Sequence, residues 1–274
     1  MMSPALVLLG VLTAVAANSD QLTISNVKLT HGLLGPERQS NKILSGDSYF
    51  IAFEIDGLKA DDAGRVKYTL AMETVDSKGN VVYTQNPRDL EARNLLGGSH
   101  LPAFSFLDIG PAVNPGEYAV KITVTDRTTK ATQRTVQKFE VLPKAFGIVK
   151  LSTTMDATMQ FPVPALGVPG QTLWVHFQTV GFQRDSASKQ PDVHVEMRIL
   201  DENGQPTLAK PITGDVNEDV SEGISVIPWH FSLSLNRAGK YTVEAQAMDR
   251  LSKKTAKVSF PLVVLDQKAT ATAE

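Results

Sequence analysis

The chain has 274 residues, 27 of them basic and 29 acidic, which is room for two ordinary domains and too little net charge to gather a polyanion. Nucleic acid is therefore not an expected partner, and a composition of 42% hydrophobic and 20% charged residues is that of a folded chain. Cysteine is absent, which removes disulfides, a lipidated cysteine, thiol catalysis and every cysteine-based metal site.

In chain order, the first feature is an uncharged apolar stretch from Ala5 to Ala17. It is too short to span a bilayer as a helix. Its length suits the core of a secretory signal, and Val15-Ala16-Ala17 supplies the small residues before a cleavage point. The sequence thus predicts an exported protein, periplasmic or extracellular. Residues 1–17 are read as a signal peptide and the mature chain as having no membrane span.

The rest of the chain says nearly the same thing twice. "GDSYFIAFEI" from Gly46 matches "GQTLWVHFQT" from Gly170, with Tyr49, Ile51 and Phe53 falling on Leu173, Val175 and Phe177. "YTLAMETVDSKGN" from Tyr68 matches "VHVEMRILDENGQ" from Val193, and "FSF" at Phe104 matches "FSL" at Phe231. "PGEYAVKITVTDRTTK" from Pro115 matches "AGKYTVEAQAMDRLSKK" from Ala238, and "FEVL" at Phe139 matches "LVVL" at Leu262. Five blocks recur in one order at offsets of 123 to 127 positions. That is a tandem duplication, predicting units over residues 22–142 and 148–265, a short linker over 143–147 and a tail over 266–274.

Within each block the apolar residues alternate. Tyr118, Val120, Ile122 and Val124 lie on one side, and Tyr241, Val243, Ala245 and Ala247 repeat them. Period two with β-branched residues reads as half-buried strands, and turn signals punctuate them. About seven short strands per unit predict an all-β chain of two tandem two-sheet sandwiches.

Gly116-Glu117-Tyr118 and Gly239-Lys240-Tyr241 each place a tyrosine at the mouth of a strand. That placement resembles the tyrosine corner of immunoglobulin-like sandwiches, whose hydroxyl bonds upstream backbone. Asp126 and Asp249, where the strands end, can cap the following hairpins. The chain resembles bacterial secreted proteins with tandem immunoglobulin-like or fibronectin type III-like domains. The resemblance implies a fold and no particular activity. Phe146, in the linker, is expected to pack between the two units.

Catalytic motifs are mostly absent. "GDSY" at Gly46 resembles the nucleophile block of GDSL-type hydrolases, yet no histidine has Asp three residues before it. "GGSHL" at Gly97 lacks the closing glycine of a nucleophile elbow. "GDVNEDVSEG" from Gly214 gathers acidic residues without EF-hand spacing, and no Lys or Arg lies between Pro211 and Asn236. It reads as a solvated acidic loop.

Strand alternation supplies the candidate site. With Val175 and Phe177 inward, Trp174, His176 and Gln178 face out. With Val193, Val195 and Met197 inward, His194, Glu196 and Arg198 face out. If those strands are neighbours, one sheet face carries Trp174, His176, His194, Glu196 and Arg198. Such a face can stack a sugar ring or dock a protein, and two histidines with a glutamate are the alternative makings of a zinc site. Trp229 alternates with Phe231, Leu233 and Leu235 and is expected in the core.

The expectation is a non-catalytic binding or structural module of the cell envelope or exterior, with no cofactor, no catalytic residues and no metal. Its partner would be a protein or a polysaccharide, which makes a carbohydrate-binding accessory protein one alternative. The other is a periplasmic assembly chaperone, which would need "VQKFEVL" (Val136 to Leu142) as an exposed apolar edge.

Overall fold

A computed structural model describes residues 21–266. The expected signal segment and most of the expected tail lie outside the described residues. Among those residues there is no helix, and therefore none long and apolar enough to cross a membrane.

The first eight strands are β1 (Thr23–Thr30), β2 (Lys42–Ile43), β3 (Ser48–Asp56), β4 (Arg65–Asp76), β5 (Val81–Arg93), β6 (Leu101–Asp108), β7 (Gly116–Asp126) and β8 (Thr132–Val141). They form a three-stranded sheet in the order β1-β3-β6 and a five-stranded sheet in the order β2-β8-β7-β4-β5. The next eight are β9 (Gly147–Thr154), β10 (Leu166–Gly167), β11 (Thr172–Val180), β12 (Val193–Leu200), β13 (Ile212–Val216), β14 (Val226–Ser234), β15 (Gly239–Asp249) and β16 (Lys254–Val264). Their sheets, β14-β11-β9 and β10-β16-β15-β12-β13, repeat the first pair strand for strand. The short β2 and β10 pair parallel to the last strand of their unit, and the other named pairings are antiparallel. Two antiparallel sheets with this order, the opening strand switching sheets midway, make each unit an immunoglobulin-like sandwich.

Alternation built the cores. Val120, Ile122 and Val124 are fully enclosed, as are Val243, Ala245 and Ala247 at the matching positions. Two separate hydrophobic clusters result, one per sandwich. Trp229 is buried in the second, its indole N–H donating to Thr179 Oγ1 at 3.0 Å.

Both tyrosine corners close as their placement implies. The Tyr118 hydroxyl donates to the Asn114 carbonyl at 2.8 Å, and that of Tyr241 to the Arg237 carbonyl at 3.1 Å. The aspartates at the strand ends are entirely buried. Asp126 accepts the N–H groups of Thr128 and Thr129 in its hairpin and of Lys59 from a distant loop. Asp249 does the same with Leu251, Ser252 and Gln183. Burial alone would raise the Asp126 carboxyl, but those backbone hydrogen bonds outweigh it and hold it below the usual range.

Two expectations need correction. Phe104 and Phe231 are not equivalent. In the pairing of β6 with β3 and of β14 with β11, Ala52 faces Phe104 while His176 faces His230, so Ser105 is the counterpart of Phe231. A slip of one residue exchanges faces, and accordingly Phe231 is in the core while Phe104 is exposed. Nor does Phe146 act as a spacer between the units; it is 6% exposed and packs in the second core.

The junction is made by other groups. β9 carries a bulge in which Lys150 and Leu151 stand opposite Phe177, with Lys150 at φ +51°. The bulge frees the Lys150 N–H from the ladder, and it donates to Asp47 Oδ1 of the first sandwich at 2.7 Å. The other Asp47 oxygen receives Arg38 at 2.9 Å. β1 has the matching bulge at Asn26, φ +47°, where the side chain instead bonds Glu54.

Candidate functional site

The five residues expected on one face occupy two. Trp174 and His176 stand on β11, in the three-stranded sheet of the second sandwich, whereas His194, Glu196 and Arg198 stand on β12, in the five-stranded sheet. Those sheets lie on opposite sides of one core, so all five side chains face outward and the two groups look away from each other. Adjacent blocks of sequence suggested adjacent strands, but in this topology β11 pairs with β14 and β9. No cluster of three or more His, Asp or Glu suited to a metal occurs among the described residues.

On the β12 side the charges are spent on one another. His194 Nδ1 is 2.9 Å from Asp215 Oδ1 and its Nε2 is 3.5 Å from Glu196. Glu196 pairs with Arg198 at 3.5 Å, and Arg250 reaches Asp215 at 2.8 Å and Asp192 at 3.3 Å. Burial would raise the Asp215 carboxyl, but His194 and Arg250 hold it below the usual range. The acidic stretch therefore has cationic neighbours that its own sequence lacks. Arg184 adds to this by donating to the carbonyls of Val220, Ser221 and Ile224 at 2.7–3.0 Å.

The β11 side differs. Trp174, His176 and His230 form an aromatic cluster with centroids 5.9–6.3 Å apart. His176 is only 4% exposed. Its Nε2 lies 2.8 Å from Thr154 Oγ1 and 3.2 Å from the Asp156 carbonyl. Burial holds this imidazole below its usual range, against the pull of the Asp156 carbonyl. Its Nε2 ties the sheet to the loop over 155–161. That loop is organised by the Asp156 carboxylate, which accepts the Thr158 hydroxyl and the N–H groups of Thr158, Gln160 and Phe161. Led by the Thr158 hydroxyl, these bonds hold the Asp156 pKa at about 2. The loop keeps Met155, Met159 and Phe161 in solvent, each more than half exposed.

This face opens on a cleft of about 440 Å³ between the two sandwiches. From the first come Leu33, Ser48 and Phe50; from the second come Lys150, Met159, His176, Gln178 and His230. The Phe50 ring stacks on Phe106 at 5.0 Å, and Phe106 and Phe104 continue the aromatic strip into solvent. The walls are the outer faces of equivalent strands, β3 and β11, turned toward a common space. Gly32, at φ +74°, permits the close approach, since a Cβ there would sit 3.1 Å from that of Ser152.

Phe50, Gln178, His230 and Met159 line the cleft, and of these His230 and Met159 were not singled out from the sequence. Phe50 and Gln178 were visible as outward positions of two matched strands; that the strands share a cleft depends on the junction, which no local pattern encodes. A larger cleft of about 660 Å³ enters the open side of the second sandwich. Its walls combine residues of that core, including Leu233, Leu235 and Leu262, with the exposed Leu208, Asn236 and Arg237 and with Tyr241, whose hydroxyl is committed to its corner.

β8 pairs with β2 only at Glu140 and Val141. Phe139 and Val141 of the chaperone-like edge are in the core, leaving Val136 as its exposed apolar residue.

No protein-family model and no curated protein matches the sequence. Among solved structures, red sea bream transglutaminase is similar over 91% of this chain and 32% of its own, at 12% identity and a TM-score of 0.28. The chain thus spans about a third of that enzyme's length. The fibronectin(III)-like modules of Clostridium thermocellum CbhA are similar over 88% of this chain and 95% of theirs, at 10% identity and a TM-score of 0.23. The C-terminal domain of the Streptococcus agalactiae AgI/II polypeptide BspA is similar over 88% of this chain and all of its own, at 8% identity and a TM-score of 0.30. At these scores the likenesses say nothing about activity, and the immunoglobulin-like architecture rests on the strand order itself.

Proposed function

We propose that this protein is a non-catalytic, exported binding module of the cell envelope or exterior that holds its ligand in the cleft between its sandwiches. The observation that carries this reading is the convergence of Phe50 from one copy with His176, Gln178 and His230 from the other on one space. A concave site of mixed aromatic and polar lining at a domain junction is the usual setting for a ligand. The Asp47 bonds to Arg38 and Lys150 hold the two walls in place without the ligand's help, which lowers the ordering cost of binding. Export is supported by the apolar segment near the start of the chain.

The test is capture by the immobilised protein from an envelope extract and a polysaccharide panel. The informative variant is Gln178→Ala with His230→Ala. Truncating His176 would also strip the bonds that hold the 155–161 loop. Capture by the parent and loss by the variant, with unchanged circular dichroism, is the expected result. Equal capture by both would place the ligand elsewhere.

A further inference from the structure

Resting on that reading, we infer that the cleft takes a neutral glycan, a short run of uncharged sugar rings. Three features of the lining select this chemistry. The first is aromatic surface: Phe50, backed by Phe106, and the His230 ring, packed on Trp174 and His176, present flat faces. The C–H face of a pyranose is the apolar surface that lies on such rings.

The second is unspent hydrogen-bonding capacity beside those rings. The Gln178 amide, the His230 imidazole and the Ser152 hydroxyl line the cleft and make no side-chain hydrogen bond among the described residues. A purely apolar occupant would bury them unpaired, which penalises its binding. Sugar hydroxyls both donate and accept, and so satisfy amide, imidazole and hydroxyl alike.

The third is charge balance. Lys150 Nζ at the rim is 3.9 Å from Asp108 Oδ1, and the Asp47 carboxylate is matched by Arg38. Among the described residues that line the cleft, Lys150 and Asp47 thus each have a counter-ion, which favours a neutral occupant over a uronate, a sulfate or an amine. The volume, about 440 Å³, is at the small-ligand end of the usual range and admits on the order of two sugar rings.

The purified protein, isotopically labelled, is titrated with neutral trisaccharides of glucose and of N-acetylglucosamine, with an oligogalacturonate and with an uncharged apolar hexapeptide. Amide shifts and calorimetry are recorded together. The inference expects a neutral trisaccharide to shift the amides of Phe50, Gln178 and His230 saturably. Gln178→Ala and Phe50→Ala should each weaken it about tenfold, the loss of one stacked or bonded contact. Gln178 lies outside the core, so its variant remains informative if Phe50→Ala unfolds. Cleft shifts caused by the peptide or the oligogalacturonate alone would overturn the glycan assignment and leave the binding-module reading standing. Shifts confined to other surfaces, or none with any probe, would overturn the assignment; capture from envelope extract that survives Gln178→Ala, His230→Ala would overturn the binding site itself.

Discussion

Ile122 is wholly enclosed in the first core, so Ile122→Ala removes buried methyl groups and leaves a cavity. Urea unfolding should show a loss of about 2–5 kcal/mol. Thr74 offers the opposite case. Its Oγ1 is buried with no hydrogen-bond partner among the described residues. Thr74→Val deletes that unsatisfied hydroxyl and should raise stability by about 1 kcal/mol in the same assay. Asp126→Ala should cost about 2–4 kcal/mol, because the N–H groups of Lys59, Thr128 and Thr129 lose their acceptor. Ile122 and Asp126 were legible in the sequence, one from alternation and the other from its place at a strand end. Asp126's reach to Lys59 was not, since it joins positions 67 residues apart.

Among the elements, the segment between β1 and β2 carries a histidine that the fold keeps neutral. Burial first, and then the Arg38 charge, depress the pKa of His31 to about 3. Because its folded pKa lies below the unfolded value near 6.5, the unfolded chain binds the extra proton between those limits. The stability His31 contributes is intact above about pH 6.5 and is lost as pH falls from there toward 3. His31→Gln should therefore flatten the fall of unfolding free energy between pH 7 and 5, measured against the parent in urea. The bulges at Asn26 and Lys150 belong to this scale too. Each interrupts an opening strand at a matched position, yet neither residue is a glycine that would have advertised a positive φ in the sequence. The exchange of faces between Phe104 and Phe231 has the same root: a repeated "FS" fixes chemistry, while register is set by pairing along the whole strand.

At the scale of the molecule, duplication and sandwich class were legible because both rest on period-two patterning that every strand repeats. The site was legible only in part. Trp174 and His176 do lie on an outer face, but the partner wall comes from the first copy, and His194, Glu196 and Arg198 belong to the far side of the second. What brings the walls together is a junction of single bonds, chiefly Asp47 with the Lys150 N–H. Asp47→Ala should loosen it, and small-angle scattering would report a larger radius of gyration with both sandwiches still folded.

Two double variants compared in one capture experiment decide whether the cleft is the working surface. One is Gln178→Ala, His230→Ala in the cleft; the other is His194→Ala, Arg198→Ala on the opposite face. Loss of the envelope ligand by the first and retention by the second is the result predicted here. Retention by the first and loss by the second would contradict it and move the function to the charged face of β12.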